Sequence, residues 1–468
     1  MRKLRWGTRW QCGAIAAGVA LLLTGCFPFQ PPVVPVTPAP TAEASATGQA
    51  EVAARVTEAM TSAGIIAHQS ALQQIADAHG DNRAVGTPGY TASVAYVRDT
   101  LAAAGYRVSV VDFSFTRTVV QAQSAEVVEG AAMTLSPQTM EQSPSMPGPI
   151  TAELRLPSDP LGCSSSDYAG AEGMVVLVER GRCTFTAKSR AAAAAGVAAL
   201  LIFDPGSGDA GWHGTLGTPD GNVPTAALSG DEGRALQQAL AAGTVRLRVD
   251  LRTEERQVTS QNVIADWPDS PAGSKLVMAG AHLDSVAEGP GINDNGSGVG
   301  LVLELAETLA AQGNPQQVRF GFWGAEELGL IGSRAWVDGL DDAERARISG
   351  YLNFDMVSSP NGQLGVYGDS QIRNLLTTVL RDTLSADPVT VELNGASDHA
   401  SFADKGIPVG GIFTGAGESG ADGHPADPCY HRACDNLDSV DGAETLKRLD
   451  VIADGAALAL LSLLRDLG

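Results

Sequence analysis

The sequence predicts an α/β protein, an αβα sandwich with a mostly parallel central sheet, interrupted by a smaller α/β domain. Apolar runs of strand length, LVMAGA, VRFGFWGA and GYLNF, each end beside a histidine or an acid, as buried strands of a parallel sheet do at a site. The glycine-rich GINDNGSG leads into the helical pattern VGLVLELAETLAAQG. From about Val119 to Leu251 the sequence has a different texture, with short β-type runs separated by an alanine-rich helix.

The N-terminal segment has the features of a bacterial export signal. Basic residues precede the apolar stretch AIAAGVALLL, which is short for a permanent transmembrane helix. The stretch ends in LTGC, which resembles a lipobox, whose cysteine, here Cys26, becomes the lipid-bearing first residue. Ordinary signal cleavage with Cys26 incidental is the alternative. We expect a lipoprotein signal peptide over residues 1–26 and an extended Pro/Ala/Thr-rich tether over 27–50.

The rest of the chain divides into two predicted domains. Residues 51–118 have helical periodicity in VAARVTEAMTSAGIIAHQSALQQIADAHG and YTASVAYVRDTLAAAGYRV, followed by the strand VSVVDFSF. Residues 119–251 form the inserted domain, with MVVLVERG and AALLIFD as strands. Residues 252–468 return to the larger domain and contain the candidate site.

Composition indicates a globular protein that does not bind nucleic acid. Of 468 residues, 44% are hydrophobic and 18% are charged, which is ample for sizeable cores. The formal net charge of −22 argues against a nucleic-acid partner, which needs a basic face.

Seven side chains that can bind or support metal ions lie in five short segments. They are His282 and Asp284 in AGAHLDS, Asp294 in GINDNGSG, Glu326 and Glu327 in WGAEELG, Asp355 in NFDM, and His431 in CYHRACDN. Any one of these residues alone would more often be structural. Charge at the end of a buried strand is costly unless it binds something, so their joint occurrence indicates one site.

The ligand types fit a pair of zinc ions. Two ions about 3.5–4 Å apart need a carboxylate that bridges them, and each needs further N or O ligands. We expect Asp294 to bridge, His282 and Asp355 to bind one ion, and Glu327 and His431 to bind the other.

Two acids remain for other roles. We expect Glu326, beside a ligand but directed elsewhere, to act as the general base that moves a proton from water to the leaving amine. We expect Asp284 to orient the His282 imidazole.

Other catalytic motifs fit poorly. GINDNGSG lacks the Gly-Lys-Ser/Thr ending of a phosphate loop, and no HExxH pair occurs. Ser397-Asp398-His399 contains the residue types of a triad, but residues adjacent in sequence rarely converge in that geometry.

From about Asn262 onward the chain resembles the co-catalytic zinc aminopeptidases of the leucine aminopeptidase and aminopeptidase Y type, peptidase family M28. The motifs that carry the resemblance are GAHLDSV, GINDNGSG, WGAEELGLIGS, GYLNFDM, SDHASF, GIPVGGIFTGAG and CYHRACDN. The resemblance implies the roles given above for the ligands and the base. It also implies that Tyr430 helps hold the tetrahedral intermediate. Asn295 is a departure, because many relatives carry a second acid there.

The inserted domain resembles the protease-associated (PA) domain found in such peptidases. Four of the six cysteines lie outside the signal segment, an even number in an oxidising compartment, and four cysteines allow three pairings. The family resemblance implies a Cys429–Cys434 disulfide around the His431 loop, and we pair Cys163 with Cys183.

These observations predict an exported metalloaminopeptidase with two Zn²⁺ per chain, cleaving peptides with a free N-terminus and preferring apolar residues. Nothing in the sequence specifies a calcium site. We expect a monomer, lipid-anchored to the outer face of the bacterial cell membrane or secreted, and held to the membrane only by its anchor. The alternatives are a non-catalytic cell-surface binding protein on the peptidase fold, or another di-zinc exopeptidase.

Overall fold

The computed structural model describes residues 42–467 except 131, 207, 209–211, 213, 314–315, 394 and 418–422, with side chains from residue 50. Residues 49–468 group into one compact unit, to which the following description applies. The predicted signal peptide with Cys26, and the tether up to residue 41, lie outside the described residues. Among the described helices, none combines the length and apolarity needed to cross a membrane.

Twelve α-helices lie in the described residues. They are α1 (Ala42–Ala59), α2 (Ser62–Ala78), α3 (Pro88–Ala103), α4 (Phe185–Ala194), α5 (Gly230–Ala242), α6 (Gly296–Ala311), α7 (Ile331–Asp338), α8 (Asp342–Arg347), α9 (Ser370–Thr378), α10 (His399–Ala403), α11 (Leu437–Val440) and α12 (Ala443–Arg465). A 3₁₀ helix spans Ser165–Tyr168 and a π-helical turn spans Val379–Thr383.

The strands of the described residues belong to one hydrogen-bonded sheet. They are β1 (Arg107–Glu129), β2 (Thr134–Leu135), β3 (Gln138–Thr139), β4 (Ile150–Arg155), β5 (Val175–Glu179), β6 (Ala199–Phe203), β7 (Thr225–Leu228), β8 (Arg246–Asp266), β9 (Leu276–His282), β10 (Val318–Trp323), β11 (Ile348–Phe354), β12 (Gly365–Gly368), β13 (Val389–Thr390) and β14 (Val409–Phe413). Their order is β13-β12-β14-β11-β9-β10-β8-β4-β5-β6-β7-β3, with β1 beside β8 and β2.

The predicted tether and the first helix differ from expectation. Helix α1 begins at Ala42, inside the segment predicted as an extended tether. The stretch AEASATGQA is rich in alanine, the strongest helix former, and continues directly into EVAARVTEA. The helical pattern then breaks before α2, where the Thr61 hydroxyl accepts a hydrogen bond from the Gly64 N–H and caps the new helix.

The sheet of the larger domain is mixed around a parallel centre, which confirms the predicted fold class. Strands β10, β9, β11 and β14 are parallel neighbours, whereas β8 and β12 pair antiparallel at either side. Alternate residues of the central strands face two cores. On one face Val277 and Ala279 pack with α2, α3, α6 and α12. On the other face Met278 packs in a second cluster with Trp323 and Phe402. The layers are therefore helix, sheet and helix.

A long two-stranded ribbon connects the larger domain to the inserted one. The predicted strand VSVVDFSF is only the start of β1, which pairs antiparallel with β8 from Arg107 opposite Asp266 to Glu129 opposite Arg246. At one end of the ribbon β8 pairs with β10, and at the other it pairs with β4. Beyond it, β5, β6 and β7 form the small parallel sheet, with α4 and α5 packed on opposite faces.

Candidate active site

The carboxyl ends of the parallel strands bring the predicted ligands to one edge of the sheet. His282 is the last residue of β9, Asp355 follows β11 directly, and Glu326 and Glu327 follow β10. Asp294 lies just before α6. His282 and Asp294 are almost fully buried. The fold therefore places charged side chains in an interior where each needs a partner.

One carboxylate lies between the two imidazoles. The Oδ1 atom of Asp294 is 3.2 Å from His282 Nε2, and its Oδ2 atom is 3.2 Å from His431 Nε2. Each imidazole also has a carboxylate of its own. His282 Nε2 is 3.4 Å from Asp355 Oδ1, and His431 Nε2 is 3.0 Å from Glu327 Oε2. The five side chains thus form two similar halves that share Asp294.

The two acids expected in other roles lie next to these halves. Glu326 Oε2 is 4.0 Å from His282 Nε2, farther than any of the contacts above. Burial raises the pKa of Glu326 well above its usual value, and Glu327 raises it further, although His282 lowers it. The Asp284 carboxylate accepts hydrogen bonds from the backbone N–H groups of Glu326 and Glu327 at 3.2 and 3.4 Å.

The His282 imidazole lies closer to the backbone oxygen of Asp284 than to the Asp284 carboxylate, which the sequence analysis expected to orient it. Its Nδ1 atom lies 3.1 Å from the backbone oxygen of Asp284 and 3.7 Å from the carboxylate of the same residue. The Asp284 side chain therefore fixes the turn that carries Glu326 and Glu327, while its main chain contacts the imidazole.

Several supporting residues escaped the sequence analysis. The Ser397 hydroxyl donates to Asp355 Oδ2 at 2.6 Å, and Asp435 accepts from the backbone N–H groups of Asn293 and Asp294 at 2.6 and 3.0 Å. Ser397 belongs to the triad-like run set aside above, and it supports a candidate ligand instead. A serine or an aspartate in a loop carries no sequence signal for such contacts, because they depend on distant segments meeting.

Asn295, the departure noted in the sequence, joins two parts of the site. Its amide Nδ2 donates to the Phe354 carbonyl, and its Oδ1 accepts from the N–H groups of Gly298 and Met356. These bonds cap α6 and tie the Asp294 loop to the segment around Asp355. An amide suits this position because it offers a donor and an acceptor.

Arg83 is a fully buried cation behind the site. Its guanidinium donates to the backbone carbonyls of Leu283, Pro290 and Gly291, at 2.9 Å for Pro290 and 2.7 Å for Gly291. Burial lowers the pKa of Arg83 to about 10, while Asp284, Asp435, Asp294 and Glu327 act in the opposite direction. The side chain stays charged at neutral pH and holds the loop that joins His282 to Asp294.

Sequence comparison decides the family. Residues 262–456 match peptidase family M28, and residues 148–236 match the PA domain. A Mycobacterium tuberculosis protein named probable lipoprotein aminopeptidase LpqL is 37% identical over 97% of this chain and 94% of its own length. The chain belongs to peptidase family M28.

Further aminopeptidases are similar to the chain in sequence and in fold. A Pseudomonas aeruginosa aminopeptidase is 36% identical over 79% of this chain and 75% of its own length. The solved aminopeptidase from Aneurinibacillus sp. strain AM-1 superposes with a TM-score of 0.70 and 29% identity, over 87% of this chain and 95% of that one. A zinc aminopeptidase from Bacillus subtilis gives a TM-score of 0.69 and 26% identity, over 86% and 95%.

The donor set of this M28 peptidase fits zinc. Imidazole nitrogens and carboxylate oxygens are ligands that zinc accepts. The oxygens Glu327 Oε1 and Asp355 Oδ1 are buried and have no hydrogen-bond partner among the described residues. Ligand atoms of His282, Asp294 and Glu327 lie within 4.8 Å of one another. Buried carboxylate oxygens without donors, facing imidazoles, are what a cation would satisfy.

A cavity of about 510 Å³ opens onto these side chains. Besides the candidate ligands and Glu326, its lining is mainly apolar and comes from Met356, Val391, Leu393, Ala396, Phe413 and Ala416, together with Glu392 and Tyr430. The Tyr430 ring stacks on His431 with ring centroids 3.8 Å apart. Burial raises the pKa of Tyr430 well above its usual value, as do Asp294 and Glu327, so its hydroxyl keeps its proton at neutral pH.

The loop that carries His431 is closed by a disulfide. The structure contains Cys429–Cys434 and Cys163–Cys183, the pairs expected from the sequence. Cys429 and Cys434 are five residues apart, with His431 between them in the left-handed region at φ 58°. This backbone conformation is uncommon for a residue with a side chain, so the loop must hold it in place.

Removal of the Cys429–Cys434 disulfide is expected to weaken the His431 half of the site. In C429S/C434S the free energy of unfolding should fall by about 2 kcal/mol, because the unfolded chain is no longer constrained by the disulfide, and the folded loop loses the bond that holds it closed around His431. We expect lower zinc occupancy and lower kcat/KM, measured by metal analysis and peptide hydrolysis. The control C163S/C183S removes the disulfide of the PA domain and should lower thermal stability while leaving activity per folded molecule unchanged. Equal activity loss in both variants would contradict this local role.

Proposed function

We propose that this M28 peptidase is an exported aminopeptidase that uses two zinc ions to remove apolar N-terminal residues from peptides. The observation that carries the proposal is the Asp294 carboxylate, with one oxygen 3.2 Å from each imidazole. His282 and Asp355 would hold one ion, and Glu327 and His431 would hold the other. Bound there, the ions would supply an activated water and would polarise the scissile carbonyl.

The protein's own groups would then carry the proton and the developing charge. Glu326 is placed to accept a proton from the attacking water and to deliver it to the nitrogen of the leaving peptide. Asp284 fixes the backbone of Glu326 and so sets where that carboxylate points. Tyr430 would donate its hydroxyl proton in a hydrogen bond to the oxygen that becomes negative when the carbonyl is attacked.

The cavity supports the substrate preference. The side chain of the N-terminal residue would enter the apolar part of the lining, formed by Met356, Leu393 and Phe413 among others. The free α-amino group, being positively charged, is complementary to the acids that also line the cavity. Glu392 lies at the rim, where it is mostly exposed and 3.7 Å from Arg373. It adds little negative charge to the pocket itself, because Arg373 opposes it.

Export, anchoring and domain limits complete the proposal. The LTGC segment and the name of the Mycobacterium tuberculosis relative support lipid attachment at Cys26. We assign residues 51–118 and 252–468 to the peptidase domain and 119–251 to the PA domain. The match over residues 148–236 lies within the inserted part, and both limits fall within the β1–β8 ribbon.

The proposal predicts a defined pattern of hydrolysis. The full-length chain in detergent should cleave p-nitroanilides of leucine, methionine and phenylalanine, with kcat/KM at least tenfold above those of aspartate and lysine. The same compounds blocked by N-acetylation should not be cleaved, because the acids need a free ammonium partner. Activity should disappear on chelation and return with zinc. Turnover of acetylated substrates would exclude an aminopeptidase, and turnover favouring lysine would refute the apolar preference.

Zinc binding is expected to release protons at neutral pH. Burial alone would lower the pKa values of His282 and His431, but nearby carboxylates, chiefly Glu326 and Asp355 for His282 and Glu327 for His431, raise both well above the usual value. We therefore expect both rings to carry a proton at pH 7 in the metal-free protein, and zinc needs them neutral. Zinc affinity should fall as pH falls, since protons compete for the same nitrogens.

Calorimetric titration with zinc in buffers of different ionisation enthalpy measures this release directly. We expect about one proton for each imidazole at pH 7. An enthalpy independent of the buffer would contradict the prediction.

A further inference from the structure

A second cluster of metal-ligand side chains lies away from the active site, between α2 and α6. Among the described residues, ligand atoms of His68, Glu304 and Glu307 lie within 4.8 Å of one another. His68 Nε2 is 3.2 Å from Glu307 Oε2. The cluster therefore joins a nitrogen from one helix to two carboxylates from another.

The His68 ring is held as a metal ligand would be. Only 7% of the residue is exposed, and its Nδ1 atom is 2.7 Å from the Tyr96 hydroxyl on α3. When Nδ1–H donates to that hydroxyl, the lone pair of Nε2 faces the two carboxylates. An outer hydrogen bond that fixes the tautomer and the ring plane is a regular feature of histidines that bind metals.

The two glutamates lie close together, and the absence of a side chain at Gly64 leaves room for Glu304. Glu304 and Glu307 are three residues apart on α6, where like charges destabilise a helix. Gly64 leaves room for Glu304, since a Cβ atom at position 64 would lie 2.2 Å from both oxygens of that carboxylate. A cation between the carboxylates would relieve their repulsion.

We propose that His68, Glu304 and Glu307 bind a third divalent metal ion that ties α2 to α6. One imidazole and two carboxylates suit zinc, whereas calcium and magnesium prefer oxygen ligands alone. The site is structural. Glu304 is eight residues along α6 from Gly296, about 12 Å from the helix end that follows Asp294, so the ion does not reach the peptide. It holds the helix that begins at the bridging carboxylate.

Metal counting tests the site on the full-length chain in detergent. Protein stripped with a chelator is dialysed against buffered free zinc, and bound zinc is measured by mass spectrometry. We expect three equivalents at saturation for the wild type and two for H68Q and E304Q. All three proteins should have the same aminopeptidase activity once loaded. Crystals measured at the zinc absorption edge should show anomalous density about 2.0–2.1 Å from His68 Nε2.

A control variant, H79Q, and the conservative variant E304Q keep the result interpretable. H79Q changes a histidine at the end of the same helix, whose Nδ1 contacts the Ile75 carbonyl, and it should still bind three equivalents. E304Q keeps the size of a half-buried side chain and so preserves the fold even where H68Q does not. Zinc should raise the Tm of the wild type in a second step at higher concentration, and this step should be absent from E304Q. Two equivalents in the wild type, or three in E304Q, would show that His68 and Glu307 form an ion pair only and would overturn the proposal.

Discussion

Replacement of Glu326 by glutamine is expected to lower kcat by about 10²–10⁴-fold while zinc content stays the same. The amide has nearly the shape of the carboxylate but cannot accept a proton. Glu326 Oε2 is 4.0 Å from the nearest imidazole nitrogen, whereas the carboxylates of Asp294, Glu327 and Asp355 lie at 3.0–3.4 Å. The variant therefore separates proton transfer from metal binding.

Replacement of Glu327, the neighbouring acid, should affect metal binding instead. In E327Q the carboxylate 3.0 Å from His431 is lost, so we expect reduced zinc content together with reduced activity. E255Q, on an exposed position of β8, should match the wild type in both measurements. KM should change little in E326Q, because the side chain acts on the reacting proton rather than on the apolar cavity. If E326Q loses zinc as E327Q does, the roles of the two acids have been assigned wrongly.

The candidate ligands could be recognised from sequence because parallel strands end at a common edge. His282 and Asp355 each stand at or next to the end of an apolar run, so their convergence follows from the fold class alone. Asp294 was recognisable from the glycine-rich turn before α6. His431 follows no strand, so its place with the others came from the ligands that a pair of zinc ions needs, and the family resemblance implies the same role.

The remaining features depend on contacts between segments distant in sequence. The strand β1 runs fourteen residues beyond the predicted VSVVDFSF, because β8 offers a partner along its whole length. A ribbon exposed along much of its surface lacks the apolar runs that mark buried strands. Asp435 and Ser397 act through hydrogen bonds to residues more than 40 positions away. Arg83 lies in the segment before α3, where no sequence pattern marks it, and only its burial reveals its role.

Replacement of Arg83 by methionine is expected to lower the free energy of unfolding by about 3–5 kcal/mol and to weaken zinc binding. The change leaves three buried carbonyls, those of Leu283, Pro290 and Gly291, without their charged donor. It also removes a buried cation from behind Asp284 and Asp294. The loop between His282 and Asp294 would lose the side chain that holds it, so the metal ligands of the two halves would no longer keep their relative positions. R83K should be intermediate, because one ammonium cannot reproduce the planar fork of the guanidinium.

The measurement must separate a loss of folding stability from a displacement of the metal ligands. Denaturant unfolding of the metal-free proteins gives the stability change, and competition with a chelator gives zinc affinity for the folded fraction. R117M is the matched control, since Arg117 also donates to a backbone carbonyl, that of Val85 at 3.2 Å, but lies outside the site and is only half-buried. It should cost at most about 1 kcal/mol and leave zinc affinity unchanged. If R83K recovers the stability but not the zinc affinity, the guanidinium positions the ligands. If zinc affinity follows stability equally in R83K and R117M, Arg83 contributes to folding alone.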